Sequence, residues 1–377
     1  LLAIRIRASL ALMLRFREEA LAPTPSVARG RGGEVWHDDM VAALLSALLM
    51  AGLFLDGWNH LNLQDGRLGS FFTPWHGLLY AGFTANTCWV ISRNRHLWRS
   101  SVEPNPALHK IGALRLRYPF AVIGLFFVGV GMVGDIGWHT LFGEEGDVAR
   151  VIAPFHIALF AGASLLVAAP LRSAWHAHAE YPPASSMVRL APPILSLALL
   201  SAAAAFMLQW LSPFMDWAGG ARPDVEALAL GARDGLQATM AARVAMATVV
   251  LLAPIMFASR RWTLPFGTAA IIFSFVALAM TSLSSFDLVD TAIAALLGGL
   301  AIDVALLVTA GHGHARLYIA AGVGPAICWA TYFLVLHLAY GANWPADFAL
   351  GAAALTALVG VALAFFLTLP EAEPASS

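Results

Sequence analysis

Lysine is almost missing from this chain: Lys110 is the only one in 377 residues, so the positive charge is nearly all arginine. Charge of either sign is scarce, at 12% of residues against 59% hydrophobic. A soluble domain carries about a quarter of its residues charged, so this composition points to a polytopic membrane protein. The two cysteines, Cys88 and Cys328, lie far apart inside apolar runs with no Cys-x-x-Cys partner. Neither a disulfide framework nor a thiolate metal site is indicated. There is no Gly-rich phosphate loop, nucleic-acid module or soluble catalytic domain, so nucleic acid is not an expected partner.

Apolar runs long enough to cross about 30 Å of hydrocarbon fall at roughly 40–60, 74–92, 118–141, 152–171, 190–212, 238–259, 264–284, 289–310, 317–340 and 346–368. The expected fold is therefore all-α: a polytopic helical membrane bundle of about ten transmembrane helices arranged as five hairpins. Arg93, Arg95, Arg99, Lys110, Arg115, Arg117, Arg172, Arg189, Arg260, Arg261 and Arg316 fall on one side of such a bundle, with Arg5, Arg7, Arg15 and Arg17 near the start. The other side is acidic, with Asp65, Glu144, Glu145, Asp216 and Asp287 among its residues. By the positive-inside rule the arginine-rich side, with both termini, is cytoplasmic. The expected location is a bacterial inner membrane.

Four regions follow. Residues 1–38 form a basic cytoplasmic segment, with Leu1 to Arg17 read as an amphipathic helix on the membrane surface or, alternatively, as an over-extended reading-frame start. Residues 39–175 form a unit of two hairpins with repeats at about 40–95 and 118–172. Residues 188–368 form a six-helix bundle, and 369–377 a short cytoplasmic tail. Between the fifth and sixth spans, Ala227 to Met240 is expected to form a short helix lying on the outer face.

The repeats carry the chemistry. The first reads Asp56-Gly-Trp-Asn-His60 and then Thr73-Pro-Trp-His76; the second reads Asp135-Ile-Gly-Trp-His139 and then Ala153-Pro-Phe-His156. Leu79-Tyr-Ala-Gly82 is answered by Leu159-Phe-Ala-Gly162, which implies an internal duplication of the first two hairpins. Residues i and i+4 share a helix face, so each Asp and the His four residues on point at one centre from the end of a span. Thr73 can cap the next helix and Pro74 suits its first position. A helix start, with its positive potential, suits the neutral imidazole that binds metal.

Each hairpin thus offers two imidazoles and one carboxylate. That set suits copper, with iron or zinc as alternatives, and is too rich in nitrogen for calcium or magnesium. Asp56, His60, His76, Asp135, His139 and His156 are the candidate ligands, in one dinuclear centre or two mononuclear sites. Against this stands an ordinary reading: a lone Asp-x3-His at a helix end is more often an interfacial hydrogen-bonded pair. Trp58, Trp75 and Trp138 are read as interfacial belt residues. Asp303, inside a span, is a functional candidate by default, with a hydroxyl or backbone partner as the alternative. His337 is a weaker candidate for the same layer, and His176, His178, His312 and His314 form two His-x-His pairs in loops. Gln209-Trp-Leu-Ser-Pro213 occupies the place of a third, decayed copy.

Asp56, His60 and His76, and again Asp135, His139 and His156, resemble the ligand pattern of the C subunit of copper membrane monooxygenases. In that family an Asp-x3-His is followed, after a dozen residues, by a second His near the outer membrane face. Here the intervening segments have 15 and 16 residues and the motif is doubled. The chain also looks like bacterial polytopic membrane proteins that carry a Phe-Thr-Pro-Trp-His stretch. The resemblance implies a metal-binding oxidoreductase, or a metal-holding subunit of one, acting on a small apolar or lipid substrate. Expected partners are the bilayer and either further membrane subunits or a second copy. A zinc-dependent lipid hydrolase and a non-enzymatic metal, haem or transport protein are the alternatives.

Overall fold

The computed structural model describes residues 32–63, 73–100, 117–142, 147–177, 186–216 and 228–368, with Ala221 and Val225 between the last two. Besides the five-residue helix Asp147–Val151, ten longer helices follow in order among the described residues: α1 Gly32–Asn62, α2 Pro74–Ser100, α3 Pro119–Phe142, α4 Pro154–His176, α5 Met187–Met207, α6 Leu230–Ser259, α7 Thr268–Leu283, α8 Ala292–Val308, α9 Ala315–Tyr340 and α10 Ala346–Leu367. Helix α4 bends at Ala168, just ahead of Pro170, which has no N–H for the helical ladder. The N-terminal segment 1–31, the tail 369–377, Glu144, Glu145 and His178 lie outside the described residues.

The chain is all-helical, and eight of these helices are long and apolar enough to cross a membrane. Two of the ten expected spans fall outside that set. Helix α7 has only 16 residues, and α2 is diluted by Asn86, Arg93, Asn94 and Arg95. Large apolar side chains face outward: Val133 and Leu141 of α3 are 74% and 78% exposed. In water such a face is an aggregation surface, whereas in a bilayer it is the ordinary exterior. The expected surface helix over 227–240 is not separate. Helix α6 runs unbroken from Leu230 for 30 residues, because no proline interrupts it before Pro254. At 1.5 Å per residue it is longer than the hydrocarbon is thick, so its first turns stand clear of it.

Helices adjacent in sequence pack together: α1 on α2, α3 on α4, and α7 through α10 in succession, with α5 bridging α1, α4 and α7. The larger apolar core joins α1, through Met50 and Phe54, to α5 and the C-terminal helices. A smaller core between the first two hairpins contains Leu49, Val90, Val128 and Leu166. At the end of these hairpins away from the repeated histidines, Asp39 is fully buried and accepts the Tyr118 hydroxyl at 2.7 Å. Asn94 holds the same loop by accepting the Arg117 N–H at 2.8 Å and donating to its carbonyl at 2.9 Å. Tyr118 has φ 61°, a left-handed value that costs a bulky residue energy and persists here under these contacts.

Asp303 has a backbone partner rather than an exposed functional role. Its two oxygens accept the N–H groups of Ala269 and Ala270 at 3.1 and 3.0 Å. These are orphan donors at the start of α7, so a side chain on α8 caps the neighbouring helix. Asp303→Ala leaves both N–H groups buried without an acceptor, and each such group costs about 1–3 kcal/mol. The expected result is a lower thermal unfolding midpoint in detergent, with Asp303→Asn, which keeps one acceptor, losing less. Metal content should be unchanged in both; a drop would assign Asp303 a part in the site.

Candidate metal centre

All six candidate ligands lie at one end of the first two hairpins. Asp56 and His60 occupy the last turns of α1, and Asp135 and His139 those of α3. His76 and His156 sit in the first turns of α2 and α4, each two residues after the proline that opens the helix. Thr73 caps α2 as its spacing predicts, with its hydroxyl accepting the His76 N–H at 3.1 Å.

The six residues form two triads, one within each hairpin, rather than a single cluster. In each triad the ligand atoms all lie within 4.8 Å of one another. Asp56 Oδ2 faces the Nε2 atoms of His60 and His76 at 3.6 and 3.4 Å. Asp135 Oδ1 faces those of His139 and His156, both at 3.4 Å. The imidazole centroids are 5.8 Å apart in the first triad and 6.0 Å in the second. The two arrangements are the same to within a few tenths of an ångström.

These distances separate the two readings of the motif. A hydrogen-bonded imidazole and carboxylate would sit at about 2.7–3.2 Å. Ligands around a tetrahedral ion with bonds of roughly 2.0–2.1 Å are spaced about 3.3 Å apart along each edge. The observed separations match ligands gathered round an ion better than hydrogen-bonded pairs. Oδ1 of Asp56, the oxygen other than the one facing the imidazoles, and Oδ1 of Asp135, the oxygen that faces them, are buried without a hydrogen-bond donor. A buried carboxylate oxygen in that condition costs several kcal/mol, a cost that a bound cation removes. The donor set fits a transition ion.

Glycines bring the helices close enough for this. A Cβ on Gly52, one turn before Asp56, would lie 2.6 Å from Leu79 Cα on α2. Gly131, one turn before Asp135, stands likewise against Leu159, whose N a Cβ would approach to 3.0 Å. From the other side, Gly82 closes on Leu49 and Gly162 on Val128, where added Cβ atoms would meet backbone at 2.6 and 2.7 Å. Small residues that let backbones cross closely are the usual packing device between helices in lipid. The sequence carried this signal: a glycine precedes each aspartate by four residues, in both repeats.

Other side chains near the triads are visible only in the structure. Thr73 Oγ1 lies 2.9 Å from His76 Nδ1, so it holds the ring as well as capping the helix. Tyr80 stacks on His76 at 5.8 Å with 19° between planes, and it lies within Coulombic range of both Asp56 and Asp135. Trp58 is more than a belt residue: its Nε1 donates to Ser285 Oγ at 2.9 Å, tying the end of α1 to the turn after α7. His337, His312 and His314 are exposed and belong to neither triad. Gln209 is buried in a short turn after α5, and no third ligand group occurs among the described residues.

Gly52→Val should separate α1 from α2, because the atom it meets is backbone and cannot swing aside; overpacking of this kind costs about 1–3 kcal/mol. Metal retained per protein molecule should fall by about half, the first triad losing its ion while the second keeps its own, given the roughly tenfold or greater effect of misplaced ligands. Gly129→Ala on α3, where an added Cβ meets nothing within 4 Å, should leave metal content unchanged. Comparisons with protein-family models, curated proteins and solved structures return no match, so the triads themselves carry the functional reading.

Proposed function

We propose that the chain is a multi-pass membrane protein that binds a transition metal, copper or iron, at the two triads. It acts as an oxidoreductase, or as the metal-holding subunit of one, in the manner suggested by its resemblance to the C subunit of copper membrane monooxygenases. The observation that carries the reading is a carboxylate oxygen facing two imidazole nitrogens at 3.4–3.6 Å, formed twice. Two imidazoles and one carboxylate fill three positions and leave others open to oxygen or a small apolar substrate entering from lipid. The bound ion would polarise that ligand, while the residues of the chain hold the ion in place and shield it from bulk water.

In this reading the hairpins descend from an internal duplication, and ten helices cross a bacterial inner membrane. The arginine-rich connections then lie in the cytoplasm and the triads at the periplasmic face. A zinc-dependent lipid hydrolase is the second reading, favoured by one observation: two imidazoles, one carboxylate and an open position also make a zinc site. A haem carrier fits poorly. In each triad the Asp oxygen stands within 3.6 Å of both Nε2 atoms, where a porphyrin plane would have to pass.

Elemental analysis of the purified protein beside His60→Ala and His139→Ala tests the proposal. Copper or iron is expected, with each variant losing about half. Stoichiometric zinc with no redox metal would select hydrolysis instead, and a folded protein free of metal would sink both readings.

A further inference from the structure

The end of the first two hairpins opposite the triads gathers arginines, and they outnumber the described carboxylates there, Glu34, Asp38 and Asp39. Three of these arginines each lie on an aromatic ring: Arg93 over Trp89 at 4.0 Å, Arg117 over Tyr118 at 4.9 Å and Arg172 over Phe120 at 3.6 Å. Two of the three also have a carboxylate. Arg93 Nη1 meets Asp38 Oδ1 at 3.1 Å, and Arg117 Nη2 meets Asp39 Oδ1 at 3.5 Å. Arg172 has no carboxylate partner among the described residues. Arg261 adds further positive charge one turn beyond it, its Nε donating to the Trp175 carbonyl at 3.4 Å.

The setting of Arg172 suits one kind of acceptor. It stands in the last turns of α4, past the bend at Ala168, and Phe120 stands in the first turn of α3. A guanidinium lying on a ring uses one face there and keeps its N–H fork for an oxyanion. Arg172 is half-buried, where a charge left without an acceptor is costly. Ile123 and Phe127, three and seven residues after Phe120, share its side of α3 and are 45% and 39% exposed. A cationic fork at the head of an outward apolar face matches a molecule with an anionic head and a hydrocarbon chain. In a bilayer that molecule is an anionic phospholipid. The feature belongs to the second hairpin alone, because the matching residues of the first are Val41 and Ser92.

We propose that Arg172, seated on Phe120, binds the phosphate of an anionic phospholipid whose chains lie along the outward face of α3. The lipid head supplies to Arg172 the negative charge that Asp38 and Asp39 supply to Arg93 and Arg117. The site is separate from the triads and does not depend on their metal. Phe120 follows Tyr118 by two residues, so the bound head also steadies the junction where Asp39 holds the second hairpin to the first.

The test uses full-length protein stripped of lipid in neutral detergent. It is titrated with phosphatidylglycerol or with phosphatidylcholine of the same chains, and retained lipid is read by native mass spectrometry. Phosphatidylglycerol should bind about tenfold more tightly, as a charge-assisted contact implies, and should raise the unfolding midpoint. Arg172→Gln should bring the two lipids to one affinity, and Arg172→Lys, with the charge but not the fork, should fall between. Phe120→Leu keeps apolar bulk, removes the ring and should lower the preference, which decides the matter even where Arg172→Gln does not fold. Arg233→Gln, at the opposite end in the first turn of α6, should leave the preference intact. Equal affinities in wild type, a preference that survives both Arg172→Gln and Phe120→Leu, or one lost in Arg233→Gln overturns the proposal. Displacement of phosphatidylglycerol by an equal concentration of inorganic phosphate overturns it too, and identifies a site for a free anion.

Discussion

A single carboxylate oxygen confronted by two imidazole nitrogens is the constraint on which the first half of this molecule is built. Burying Asp and His at the end of an apolar helix is unfavourable by several kcal/mol unless the groups are satisfied. Here the separations of 3.4–3.6 Å are wider than direct hydrogen bonds, and one oxygen of each aspartate, the far one in Asp56 and the one facing the imidazoles in Asp135, is buried with no donor. A cation between the three groups would remove the cost of that buried oxygen. Every nearby feature can be understood as bringing the groups to that distance and keeping them there.

Two backbone devices do so. The i, i+4 spacing places Asp and the first His on one helix face, and the Pro-x-His opening puts the second His in the first turn of the return helix. Neither would converge if the helices stood at the usual 8–10 Å of larger side chains. The reciprocal glycines, Gly52 and Gly82 in one hairpin and Gly131 and Gly162 in the other, remove the side chains that would hold them apart. At the far end, the Asp39–Tyr118 bond and the Asn94 clamp fix where α3 starts relative to α1 and α2. The second hairpin is thereby tied to the first at the end away from the triads.

Much of this was legible in the sequence, because it depends on local spacing. The division of the six residues between helix ends and helix starts, and the Thr73 cap, follow from spacings within four positions. The spans were legible where apolar runs are pure, and became ambiguous at α2 and α7, where polar residues or shortness weaken the pattern. What could not be read were contacts between distant segments. Trp58 meets Ser285 across 227 positions, and Asp303 caps a helix 34 residues earlier. A polar residue in a span looks functional until the donor that occupies it is seen. Likewise, Tyr80 differed from Phe160 in the sequence, yet only the fold places one on an imidazole and the other in the core.

The orientation of the helices also explains why the aspartates are indispensable to any ion at this end. Helices α1 and α3 finish there with unsatisfied carbonyls, and α2 and α4 begin there with unsatisfied N–H groups. The partial charges at these termini, about half an elementary charge of each sign, oppose one another within a hairpin and largely cancel. Imidazoles add ligand nitrogen but no negative charge when they bind metal. The field that would draw a cation into a setting this apolar therefore comes from Asp56 and Asp135.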